Sequence, residues 1–159
     1  MEFSFNDIDK SSFTELLSVY QQHGQTLSSQ DMEMAMQHVD TLFQKGFSIA
    51  LNRIKVTIRK GKFNGNWALN LPASTEQVSK NPTAVFNSVT GDTHFYVSNE
   101  MVDQFPFIEA GLDNFIQEGM MTKKDDGYYI DGKVVNGNIE FTGGHKVPMF
   151  MLFAPFLMR

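Results

Sequence analysis

Four histidines, eighteen acidic residues and no cysteine are the chain's inventory for catalysis or metal binding. His23, His38, His94 and His145 fall on four separate predicted elements. They lack the HExxH or His-x-His spacing that would aim two imidazoles at one ion. In "HVD" at 38–40 the neighbours point different ways on a predicted helix, so they form no dyad. Asp125, Asp126 and Asp131 gather carboxylates in "DDGYYIDG", but the alternating ligands and closing Glu of a calcium loop are missing. A solvated turn explains them. Gly61-Lys62 stands in no P-loop, and there is no G-x-S-x-G. Without cysteine, thiol catalysis, disulfides and Cys-ligated zinc are excluded. The expectation is a non-enzyme with no catalytic, cofactor-binding or metal residues and no cofactor.

The charge pattern narrows the partners. Net charge is −5, and the 13 basic residues are scattered. The densest group, "RIKVTIRKGK" at 53–62, reads as the polar face and tip of a hairpin. Nucleic acid would require a basic excess gathered on one face, so it is not an expected partner. Fifteen Phe and ten Met in 159 residues suit a large core or an adaptable apolar surface. The C-terminal "PMFMLFAPFLM" at 148–158 has the most functional potential. It is too short to cross a bilayer, and Pro148 and Pro155 oppose a central strand or an unbroken helix. Three readings stay open for it: a cover over the core, a surface for self-association or a protein partner, and contact with lipid. The candidate contact residues are Met149, Phe150, Met151, Phe153, Phe156 and Leu157.

The elements that must position these residues follow from periodicity. Phe3 and Phe5 alternate with polar neighbours as in a short strand. Ser12 and Glu15 fit a capping box for a helix over 13–23, with Gly24 as its stop. Met32, Ala35, Met36, Val39, Leu42 and Phe43 form one helical face between an N-cap at Ser29 and a stop at Gly46. After Gly46 the period falls to two. Its phase slips near Asn52-Arg53, which predicts a bulge or bend. A breaker-rich loop with room for short helices leads to a strand at 93–98. The helical pattern of Met101, Phe105, Ile108, Leu112, Phe115 and Ile116 is split by Pro106. Gly119 ends it, and the "YYIDGKVV" strand follows.

Two Asn-Gly-Asn stretches, "FNGNWALN" at 63–70 and "VNGNIEFT" at 135–142, suggest type I′ hairpins. A turn at Asn64-Gly65 pairs Lys62 with Trp67, Lys60 with Leu69 and Ile58 with Leu71. Ile54, Val56, Ile58, Trp67, Leu69 and Leu71 then share a face. A turn at Asn136-Gly137 pairs Val134 with Ile139, Gly132 with Phe141 and Lys133 with Glu140. Each stretch follows a glycine that ends a helix, Gly46 or Gly119. This suggests an internal repeat of helix and hairpin over 29–72 and 99–144.

The C-terminal third, "LDNFIQEGMMTKKDDGYYIDGKVVNGNIEFTGGHKVPM", resembles the end of the YdgA-like family of uncharacterised bacterial cell-envelope proteins. The likeness centres on Gly137-Asn138-Ile139-Glu140-Phe141-Thr142-Gly143, with Thr142 where the family usually has Asn. "LNRIKVTIRKGKFNGNWALNLP" and "THFYVSNEMVDQFP" are similar to its preceding block. Family members are longer and begin with a membrane anchor. The resemblance therefore implies a fragment of an anchored protein, soluble itself and on the periplasmic side of the inner membrane. It implies no catalytic residues.

The expected fold is one α+β domain over 1–159, an antiparallel hairpin-rich sheet with amphipathic helices packed on one face. The leading expectation for function is a non-catalytic envelope domain acting through protein–protein contact or self-association. The alternative is binding of an apolar ligand or lipid between sheet and helices.

Overall fold

The computed structural model describes residues 1–23 and 27–151. Strand β1 (Glu2–Asn6) leads into helices α1 (Lys10–His23) and α2 (Ser29–Lys45). Strands β2 (Phe47–Ile58) and β3 (Gly61–Leu71) follow, then helix α3 (Pro82–Asn87) and strand β4 (Thr90–Ser98). Helix α4 (Asn99–Gln104), a 3₁₀ turn (Pro106–Ile108) and helix α5 (Glu109–Gln117) form the second helical group. Strands β5 (Thr122–Lys124), β6 (Gly127–Val135), β7 (Asn138–Phe141) and β8 (Lys146–Pro148) complete the described chain. The eight strands make one antiparallel sheet, ordered β1-β2-β3-β4-β6-β7-β8, with β5 also on β6. This is the α+β architecture expected from the sequence.

Local signals explain the helix boundaries. Ser28 begins α2 through a reciprocal capping box with Asp31, one residue before the expected Ser29. Gly46 ends that helix with φ +75°, donating its N–H to the Leu42 carbonyl. Helix α1 is capped from Asp9, whose carboxylate accepts from the Ser12 N–H at 3.0 Å, and not by a Ser12–Glu15 box. A carboxylate is the stronger acceptor at a helix N-terminus. Pro106 does split the second helical region, because Phe105 leaves the helical conformation before it (φ −130°, ψ 68°). The Asp40 carboxylate, buried on α2, fastens the 72–81 loop by accepting from the Ser79 N–H at 2.9 Å and hydroxyl at 2.5 Å.

The second Asn-Gly-Asn hairpin has the expected register: Val134 opposite Ile139, Lys133 opposite Glu140, Gly132 opposite Phe141. Asn136 and Gly137 take the positive φ of the turn, +50° and +76°. The first stretch is not a turn. β2 and β3 are joined at Arg59-Lys60, with Arg59 at φ +54° and Ile58 opposite Gly61. Asn64 and Gly65 lie inside β3, paired with Lys55 and Ile54. The partner of Ile58 is thus ten residues from the expected Leu71. An even shift leaves every side chain on its original face, so alternation alone does not distinguish the two registers. Gly65 has another reason to be glycine: a Cβ there would lie 2.3 Å from the Phe95 ring. The phase slip at Asn52-Arg53 is a bulge, with Leu51 opposite Trp67 and Ile54 opposite Gly65.

The bulge and the cross-strand register sort the sheet into two faces. Phe47, Ile49, Leu51, Ile54 and Val56 of β2 share one face with Phe63, Trp67, Leu69 and Leu71 of β3. Phe95 and Val97 of β4, Tyr128, Ile130 and Val134 of β6, and Ile139 and Phe141 of β7 join them. Both core clusters lie on this face. One joins Phe43 of α2 and Phe86 of α3 to Leu69, Leu71, Val134 and Ile139. The other joins Val102 of α4, Ile108, and Leu112 and Ile116 of α5 to Val97, Tyr128 and Ile130. Burial of this apolar surface is the main stabilising term, and it draws the two helical groups to opposite ends of the same face.

Candidate functional site

Between those two helical groups the apolar face is open. The row across the middle of the sheet reads Trp67, Thr93, Gly132, Phe141 on β3, β4, β6 and β7. Large residues stand at its ends and small ones at its centre. The result is a trough of about 310 Å³, walled by Trp67, Phe95, Ile130, Ile139 and Phe141 and floored by Thr93. Gly132 keeps the floor low: a Cβ there would meet Thr93 Cγ2 at 3.1 Å and Phe141 Cδ1 at 3.3 Å. The volume is at the lower end of the roughly 300–1,000 Å³ typical of ligand pockets. A second apolar hollow, of about 240 Å³, lies between α1 and the edge of the sheet, among Phe5, Phe13, Leu17, Leu42 and Ile49.

The opposite face carries a cleft of about 460 Å³ lined by polar side chains. His94 and Asp131, which the sequence spacing left separate, are direct cross-strand partners here, Nδ1 to Oδ1 at 2.7 Å. A carboxylate oxygen only accepts, so Nδ1 is the protonated nitrogen. Tyr96 and Tyr129 stand side by side with ring centroids 4.9 Å apart. Both hydroxyls donate to Asp126, to its carbonyl at 3.1 Å and its carboxylate at 2.7 Å. That carboxylate raises the Tyr129 phenol to about 12, because ionisation would place two negative groups in contact. Burial, and then the Asp126 charge, raise Tyr96 as well.

The remaining candidates from the sequence are dispersed. Met149 is buried at 3% exposure against Leu71, Phe86, Val89 and Val134, and Phe150 packs against the same cluster. Met149 is therefore core, not a contact surface, because its strand-end position turns it under the sheet's apolar edge. Met151 is 65% exposed. Phe153, Phe156 and Leu157 lie outside the described residues, as does Gly24. Among the described residues no three His, Asp or Glu side chains converge as metal ligands, and no helix is long and apolar enough to cross a membrane. Sequence reasoning missed both the trough and the cleft. The alternation in β4 signals only that two faces exist, since Thr93 and Phe95 face one way and His94 and Tyr96 the other.

A family model described as "Bacterial protein of unknown function (DUF945)" matches residues 1–149. The chain belongs to that family. The DUF945 match takes in all eight strands, hence both the trough and the cleft. Comparison with curated proteins and with solved structures gave no match.

Proposed function

We propose that this DUF945 domain is a non-catalytic binding module whose trough receives a single apolar chain, such as the acyl chain of a lipid. The observation that carries this reading is the row Trp67–Thr93–Gly132–Phe141, which hollows the middle of the hydrophobic face. An antiparallel sheet usually packs its apolar face into the core and exposes the other. Here the helices stop short on both sides, and the residues between them expose a mostly apolar surface, with Asp92 and Thr93 the polar residues of its lining. A chain laid in the trough would remove that surface from water, at about 0.8 kcal/mol per buried methylene. The bacterial cell-envelope location implied by the resemblance to YdgA-like proteins would bring the domain near such chains. Apolar-ligand binding takes precedence over contact through the C-terminal segment because Met149 and Phe150 are turned into the core.

Trp67 is the chain's single tryptophan and forms one wall of the trough, so its emission reports occupancy. Titration with dodecanoate is expected to give a saturable blue shift. Thr93→Leu, which raises the floor, is expected to weaken the response at least roughly tenfold, as an overfilled site would. An unchanged Trp67 emission, or an undiminished response in Thr93→Leu, would exclude the trough as the binding site.

A further inference from the structure

We propose that the polar face of the sheet binds a neutral carbohydrate across strands β2, β3, β4 and β6, independently of the trough on the other face. The register sets two parallel polar rows there. One runs Lys55, Asn64, Tyr96, Tyr129; the other runs from the Asn52-Arg53 bulge through Asn66 and His94 to Asp131. These residues line the 460 Å³ cleft. Four strands at a spacing of about 4.8 Å give the rows a span of roughly 14 Å, enough for two linked sugar rings.

The chemistry of the rows selects the ligand class. Carboxamides at Asn64 and Asn66 each offer two donors and an acceptor, and among the described residues neither side chain has a hydrogen-bond partner. The Arg53 and Lys55 side chains likewise make no ion pair there. Adjacent hydroxyls of a sugar, which both donate and accept, match such groups in pairs. The hydroxyls of Tyr96 and Tyr129 are committed to Asp126, and Lys124 Nζ lies over the Tyr129 ring at 4.5 Å, so Tyr96 offers the ring surface for the apolar face of a sugar. Charge points the same way. Arg53 and Lys55 at one end have Glu2 opposite Arg53, and Asp126 and Asp131 at the other have Lys124 over Tyr129, so both ends are mixed in sign and neither a cation nor an anion is favoured throughout. A neutral polyol can use both ends. Asp131 also holds His94 by Nδ1 at 2.7 Å, leaving Nε2 as its remaining polar atom.

The test is titration of the ¹⁵N-labelled protein with maltotriose, cellotriose and N,N′,N″-triacetylchitotriose, and separately with inorganic phosphate. At least one sugar is expected to give saturable shifts at the Asn64 and Asn66 side-chain amides and the His94 and Tyr96 backbone. Asn66→Ala, at an exposed strand position, is expected to lower that affinity roughly tenfold while its remaining amide spectrum stays native. Asn64→Ala serves as a second variant should Asn66→Ala disturb the strand. No shift with any of the three sugars overturns the proposal. So does phosphate moving the same signals as strongly, which would make the cleft an anion site.

Discussion

The Asp9 carboxylate performs two tasks, capping α1 through the Ser12 N–H and accepting from Lys45 Nζ at 2.6 Å across from the end of α2. The Lys45 hydrogen bond and then those from Ser12 hold its carboxyl at about 2, below the ordinary carboxylate range. A depressed acid stabilises the fold above its unfolded value, near 3.9, and that contribution fades as pH falls towards 2. A carboxyl NMR titration of Asp9 is expected to show a midpoint near 2. Lys45→Met should move the midpoint up, because the donor that most favours the ionised carboxylate is gone. A native midpoint at the ordinary value would mean that the pair does not form in solution. Since Lys45 is more than half exposed, raised salt should weaken the pair.

At the scale of elements, β3 shows how one dipeptide can serve two purposes. Asn136-Gly137 is a turn because its φ values are positive; Asn64-Gly65 is strand because the Phe95 ring lies where a side chain on Gly65 would go. Phe63 stacks on the same ring at 6.1 Å, fixing it in place. Gly65→Ala is expected to lower stability in urea by about 1–3 kcal/mol, the usual cost of overpacking. Adding Phe95→Leu should recover part of that loss. Gly111, in α5 with open space around it, supplies the contrast: Gly111→Ala should stabilise by up to about 1 kcal/mol. Equal effects at the two positions would show that the ring does not press on Gly65. The stop at Gly46, the break at Pro106, the bulge and the second hairpin were legible in the sequence because caps, phase and turn chemistry are local, whereas the starts of α1 and α2 lay at Asp9 and Ser28 and not at the expected Ser12 and Ser29. The β2–β3 register was not legible, because the ring that excludes a side chain at Gly65 comes from β4, thirty residues on.

For the molecule as a whole, the same limit separates fold from site. Apolar alternation in nearly every strand made a one-sided sheet legible, and the helical stripes required a face to cover. The trough needs a comparison of side-chain size across four strands, Trp67 and Phe141 outside, Thr93 and Gly132 inside. No segment read alone contains that pattern. The His94–Asp131 pair was hidden for the same reason, since 37 residues separate its members. The Asn52-Arg53 bulge shows what holds the two faces apart. Two residues there stand opposite Asn66 alone, so β2 carries one residue more than its partner requires. Removing Asn52 should restore plain pairing with every side chain on its present face, whereas removing Lys55 should turn Val56, Thr57 and Ile58 over. The shortened chain lacking Asn52 is expected to unfold cooperatively in urea, and the one lacking Lys55 to do so at a clearly lower midpoint. If both tolerate the loss alike, pairing with β3 is not what fixes the face. The bulge is then a place in β2 where the gene could lose a codon without exchanging the inside of the domain for the outside.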